Sequence, residues 1–357
     1  MRSAATDWPA TPPRRATCWP RRASPRSLGI GAVFLSERFN VKDAGVLAGA
    51  AAAATERIGI ATAATNHNTR HPLVTATMAS TLHRLSEGRY AFGLGRGFDL
   101  LFDVMGLPRV TGAQMRDAIG IYRRLWHGEA FGHTGPAGEY PYLSQGADLD
   151  EDVPVLMMAI GERSLRLAGQ VADGVVLHTF LTDETLARSV ATIRAAAEQA
   201  GRDPAAVRVW SVLATVDDDI AEEARLRKAG RPARDLPPGV RRGAGPRQRL
   251  VPGGPGALSR APARAGLPGR LRRDRHRRGD SPGCARRRCP RTGSRRPRPG
   301  RPGSARAGSR TRLDAGADSV VLHGATPAEL AGVVRAWGEV RDPARDALPA
   351  NPGWVRR

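Results

Sequence analysis

Short apolar runs in this sequence end repeatedly on polar residues that could bind an anion or move a proton. Ser36, Glu37 and Arg38 follow one run, Asn66 and His67 a second, Gly95, Arg96 and Gly97 a third, Gly161, Arg163 and Ser164 a fourth, and His178 and Thr179 a fifth. Glu37 and His178 are the candidate proton handlers, because a carboxylate and an imidazole are readily tuned toward neutral pH. Salt bridging or positioning is the competing role for Glu37. Arg38 cannot act as a base, since a guanidinium stays protonated at neutral pH. The glycines of "GLGRG", residues 93–97, would let backbone amides approach a ligand closely. Tight strand-to-helix turns also use alternating glycines, so packing explains them equally well. Gly161 precedes a helical stretch whose first turn carries Arg163 and Ser164, and the free amides of a helix N-terminus favour phosphate. Two such turns on adjacent strands would make a phosphate cradle.

Other chemistries find little support. His67, His71 and His83 lack metal-ligand spacing and no carboxylate pair accompanies them, so no metal site is expected. His83 is expected on a helix surface and His71 in a turn before Pro72. Neither a Ser-His-Asp arrangement nor a Walker-type phosphate loop is present.

The elements that would position these residues alternate regularly. "IGAVFLS" precedes a helical stretch 44–57, "IGIATAAT" precedes 72–85, "RYAFGLG" precedes 111–127, and "VPVLMMA" precedes 163–172. "GVVLHTF" then precedes 183–200, "VRVWSVLAT" precedes 220–229, and "ADSVVLHG" precedes 327–340. Such alternation implies parallel strands joined by right-handed crossovers. Seven β/α units without a sequence-level switch point favour a (β/α)8 TIM barrel, one strand short, over a doubly wound sheet. The missing strand should lie before Leu28, where prolines and the lack of apolar alternation suggest that it has been lost.

Charge divides the chain in the same way. The formal net charge is +22, yet residues 231–312 hold 25 Arg and three Asp, and residues 1–27 hold six Arg and one Asp. The remainder is therefore mildly acidic. From Pro238 to Arg312 there is no Lys, Ile, Phe, Tyr, Asn, Met, Trp or Glu, the usage expected of a GC-rich gene read in a shifted frame. The domain expectation is an aberrant N-terminus at 1–27, a barrel body at 28–230, a disordered Arg/Pro/Gly-rich segment at 231–312, and a last β/α unit at 313–357. A genuine basic arm that binds nucleic acid is the competing reading of 231–312. The three cysteines, Cys18, Cys284 and Cys289, form no disulfide framework. With no apolar run of membrane-spanning length and no signal-peptide core, a cytoplasmic location without membrane contact is expected.

"NTRHPLVTATMASTLHRLSEGRYAFGLGRG" resembles the luciferase-like monooxygenase superfamily in its "HP" helix start, its helix end in the "LSEGR" style and its glycine-rich strand end. "LGIGAVFLSERF" and "GERSLRLAGQVADGVVLHTF" are similar to the family's second strand and phosphate-loop unit. "SERFNVKDAG" and "TAATNHNTRHPLVTATMAS" look closest to its deazaflavin (coenzyme F420)-dependent oxidoreductases. The resemblance implies a luciferase-like barrel with F420, or alternatively FMN, across its mouth and a small-molecule substrate, and it leaves a homodimer open. It places the cofactor phosphate near Arg96, Gly97, Gly161 and Arg163, with Gly95, Ser164 and Thr179 alongside. The ring would rest on a bulge at Ala63 and Ala64, a place where a cis non-prolyl peptide often occurs. Ser36, Arg38, Asn66 and His67 would face the substrate. The chain departs from some relatives at Arg38, where they carry His, and at Phe98, where they carry an acid.

Overall fold

The computed structural model describes residues 3–6, 29–38, 41–146, 149–179, 181–215, 302–325, 329–339, 341 and 349–355, with residues 3–6 and 302–307 as backbone only. The chain divides into two units, 1–235 with 298–357, and 236–297, and the second lies wholly outside the described residues. Ten strands are described: β1 (Ser3–Thr6), β2 (Ala32–Leu35), β3 (Gly59–Thr62), β4 (Tyr90–Leu94), β5 (Phe131–Gly135), β6 (Gly138–Leu143), β7 (Val155–Met158), β8 (Gly174–Val176), β9 (Arg208–Ala214) and β10 (Ser319–His323). The helices are α1 (Ala44–Ala54), α2 (Pro72–Leu85), α3 (Asp99–Met105), α4 (Gly112–Trp126), α5 (Glu162–Val171), α6 (Asp183–Gln199), α7 (Pro302–Asp314) and α8 (Ala331–Gly338).

All seven strands read from the sequence are present, and they form a curled parallel sheet in the ring order β10-β9-β8-β7-β4-β3-β2. Its two edges meet through β1, which pairs in parallel with β10 at Ser3↔Val320 and with β2 at Ala4↔Ala32. This corrects the expectation that no strand stands before Leu28. A four-residue strand of small residues carries no apolar alternation to mark it, but its backbone groups satisfy both open edges. A second correction concerns 231–312, whose last residues lie in α7. Alanine and arginine favour helix there, Ser309 is buried, and the Arg312 guanidinium donates to the Leu181 carbonyl at 2.7 Å. The expected helix at 220–229 lies outside the described residues, as does 1–27 apart from β1 and 231–301.

Period-two alternation separates two cores. Ala32, Phe34, Ala61, Ala91, Leu156, Val176, Trp210, Val212 and Val321, drawn from seven strands, fill the barrel, and Phe34 meets Trp210 edge-on at 4.8 Å. The alternate residues, among them Val33, Ile60, Phe92, Val155 and Val175, face the helices. Caps fix where the helices start. The Asp43 carboxylate accepts from the Val46 amide at 2.9 Å, and Thr111 and Gln114 form a reciprocal capping box on α4. At the amino end of the ring, residues 349–355 close the barrel. The fully buried Arg208 guanidinium donates to the carbonyls of Pro349, Asn351 and Trp354 at 3.3, 2.9 and 3.0 Å, and Asn351 Nδ2 donates to the Gly88 and Tyr90 carbonyls.

Candidate active site

At the carboxyl end of the ring, β3 runs into a bulge that β2 and β4 grip from either side. The Ala63–Ala64 peptide is cis. The Thr62 hydroxyl accepts from the Gly93 amide at 2.7 Å and donates to the Gly93 carbonyl at 3.1 Å. Beyond it the Thr65 amide donates to the Gly93 carbonyl, the Gly95 amide to the Thr65 carbonyl, and the Glu37 amide to the Ala64 carbonyl. Asn66 is buried, and its Nδ2 donates to the Gly95 carbonyl at 2.7 Å. Side chains at Gly93 or Gly95 would collide with the Thr62 carbonyl or the Ala64 methyl. Gly97 has φ +78° and lies against the Phe102 ring. All three glycines of "GLGRG" are therefore accounted for by packing. The Arg96 guanidinium is engaged too, donating to the Val110 carbonyl at 2.7 Å and pairing with Asp99 at 2.7 Å.

The Glu37 side chain is almost fully buried, and both of its oxygens are occupied. Arg70 grips them in a fork at 2.9 and 3.1 Å, and the Thr65 hydroxyl donates to Oε2 at 2.8 Å. Arg70 also pairs with Asp43 at 2.6 Å. Burial works against the Asp43 carboxylate, but the Val46 amide and Arg70 outweigh it and lower its pKa; hydrogen bonding to Glu37 chiefly raises that of Arg70. Glu37 is thus built as a salt-bridged anchor. The sequence reading missed Arg70 and Asp43; of the two, only Asp43, standing before a helix, carried a local signal.

The turn after β7 is different. β4 and β7 pair directly, so this turn neighbours Gly95–Gly97. Gly161 is the N-cap of α5 and has no side-chain cap, and a Cβ added to it would meet nothing within 4 Å. The amides of the first turn of α5 have no intrahelical acceptor. Arg163 is exposed and makes no hydrogen bond or ion pair among the described residues, while the Ser164 hydroxyl donates to the Gly161 carbonyl at 2.7 Å. Here an anion would meet open backbone, a free guanidinium and a hydroxyl oxygen with accepting capacity left.

Just past β8, His178 is half-buried, and its Nδ1 lies 3.5 Å from the Thr179 hydroxyl. Burial, and then His323 at the end of β10, lower its pKa, so it is neutral at pH 7. His67 is also held neutral by burial, against the attraction of Asp117. Its Nε2 is buried without a hydrogen-bond partner among the described residues. Ser36 is half-buried just past β2, and Arg38 bridges Lys42 through its backbone, its amide donating to the Lys42 carbonyl at 3.0 Å. His83, expected on a surface, is instead buried, with Nδ1 3.1 Å from the Tyr90 carbonyl; its face of α2 turns toward β4. His71 is the N-cap of α2, its Nδ1 accepting from the Leu73 amide at 3.3 Å. No cluster of metal-ligating side chains occurs among the described residues, and none of the described helices is long and apolar enough to cross a membrane.

Residues 26–337 match the luciferase-like monooxygenase family, and the chain belongs to that family. Among its relatives is a 5,10-methylenetetrahydromethanopterin reductase from Methanolobus tindarius, 31% identical over 199 residues that cover 54% of this chain and 60% of that one. An F420-dependent glucose-6-phosphate dehydrogenase from Beutenbergia cavernae is 36% identical over 137 residues, 36% of this chain and 40% of that one. The chain thus spans three fifths or less of the length of these relatives. In structure it is similar to the F420-dependent tetrahydromethanopterin reductase from Methanopyrus kandleri, with a TM-score of 0.63 and 18% identity over 94% of this chain and 97% of that one. A monooxygenase from Streptomyces bottropensis gives a TM-score of 0.60 at 19% identity over 88% of each chain. Both likenesses are in fold.

Proposed function

We propose that the protein is an oxidoreductase that moves a hydride between the deazaflavin F420 and a small organic substrate. The observation that carries this reading is the pairing, at one barrel mouth, of the gripped Ala63–Ala64 bulge with the open, uncapped N-terminus of α5. The small side chains of the bulge leave space for a flat ring, and the amides of α5 with Arg163 and Ser164 suit its phosphate. The relatives named for F420 and for an F420-linked reductase support the choice of cofactor. When bound, F420 supplies the carbon that takes or gives the hydride.

The chain's own residues bind and orient. Gly161, Arg163 and Ser164 would hold the phosphate, with Thr179 nearby, while Arg96, tied to Asp99 and Val110, would steady the β4–α3 turn. Gly95 and Gly97 would let that turn pack close to the bulge. Glu37 would anchor the bulge and not exchange protons. The neutral His178 imidazole is the candidate to accept a proton at a ring nitrogen, and Ser36, Arg38, Asn66 and His67 surround the substrate side. Titration with F420, followed by quenching of its fluorescence, tests the reading. Saturable quenching without FMN binding is expected. FMN binding without F420 binding would replace the reading with a flavin monooxygenase, and tight, salt-sensitive retention of nucleic acid with neither cofactor bound would favour the basic-segment reading.

A further inference from the structure

We infer that Arg70 is the positioning residue of the Ala63–Ala64 bulge, and through it of whatever ring rests there; the second half of this statement depends on the cofactor reading above. One guanidinium reaches three separate segments. It forks onto Glu37 at the end of β2, pairs with Asp43 at the cap of α1, and donates to the Thr65 hydroxyl at 3.2 Å within the bulge. Glu37 completes the clamp by accepting from that same hydroxyl while its amide holds the Ala64 carbonyl at 3.3 Å. The bulge is therefore fixed from behind by a charged network whose Glu37 side chain is 1% exposed. The two alanines of the bulge itself are small and only half-buried. A planar fork is needed to serve both Glu37 oxygens at once, and a lysine ammonium cannot reproduce it.

The test uses the full chain with two variants, Arg70→Lys and Thr65→Val. The first keeps the charge and loses the fork; the second removes only the hydroxyl that joins the clamp to the bulge. In the absence of cofactor, amide hydrogen exchange at residues 63–66 should rise about tenfold in both, with α4 and α6 unchanged. Adding F420 to the same proteins should show binding weakened by about tenfold in each, with the double variant no worse than the stronger single effect, as expected of one shared network. Unchanged exchange at 63–66 overturns the clamp whatever the protein binds. Local loosening with wild-type affinity for F420 overturns the positioning role while leaving the cofactor reading intact. A wild-type chain that binds no F420 sinks the cofactor reading, and the exchange measurement still decides the clamp.

Discussion

Gly97 and Gly161 both sit in turns that the sequence marks for a phosphate, yet the structure gives them different work. Gly97 needs its positive φ and faces the Phe102 ring, whereas Gly161 has an ordinary φ and open space around it. Gly97→Ala should lower the thermal midpoint by several degrees, as expected for about 1–3 kcal/mol of strain. Gly161→Leu should leave the midpoint close to wild type and weaken F420 binding, and Arg163→Ala should weaken it by about tenfold. Thermal melts and fluorescence titration separate the two glycines, and unchanged affinity in both α5 variants would remove this turn from the site. His67 and His178 allow a second test. Both have folded pKa values below the ordinary 6.5 because burial disfavours their charged forms. Below about pH 6.5 the unfolded chain binds protons that the folded chain refuses, so stability falls as pH drops from there toward the folded values. The double variant His67→Gln, His178→Gln should flatten the fall in thermal midpoint between pH 7 and pH 5. Equal slopes would show that neither imidazole is held neutral by the fold.

At the level of elements, the strands were the most readable part of the sequence. β-branched and aromatic runs such as "VRVWSV" and "DSVVLH" place β9 and β10 without help from tertiary contacts. The site was partly readable: Gly161 and Arg163 lie where helix-start signals put them, but Arg70 gives no local hint that it will bind carboxylates 33 and 27 residues away. Besides β1 and α7, three further elements escaped for physical reasons. The β5–β6 hairpin is glycine-rich and gains its place from Asp117, which takes His133 at 2.9 Å and the Ala137 amide at 2.8 Å. Helix α3 is short, and Leu100, Leu101, Val104 and Met105 stay exposed while Phe102 alone is buried, so its pattern reads as neither face of an amphipathic helix. The closing segment 349–355 is held by carbonyls, a kind of partner that residue types do not announce. Truncation after residue 348 should strip Arg208 of three acceptors inside the barrel and cost about 3–5 kcal/mol. A circular-dichroism melt reads this as a large fall in midpoint, and Arg208→Met in the same truncated chain should recover part of it. A truncated chain as stable as the full one would show that the segment does not seal the barrel.

On the scale of the whole molecule, positive charge and barrel lie in different parts of the chain. Between residues 231 and 301 trypsin meets a dense run of arginines, and the strand on either side of this stretch belongs to the same ring, β9 pairing with β10 from Trp210↔Ser319 to Ala214↔His323. Brief trypsin treatment should cut first within 231–301. The two products should co-elute under native conditions at the volume of the uncut chain and separate only in denaturant. Release of a free C-terminal fragment on nicking would count against the continuous ring. Sequencing the gene in all three frames across codons 1–27 and 238–312 would show whether a shifted frame produced the arginines. The pairing of β1 with β10 has a further consequence for how such a protein is made. β1 pairs with β2, 28 residues further along the chain (Ala4↔Ala32), and with β10, 317 residues further along (Ser3↔Val320). Ring closure therefore waits until β10 has been synthesised, and until then the β10 flank of β1 is an open edge whose partner is one of the longest-range contacts in the fold.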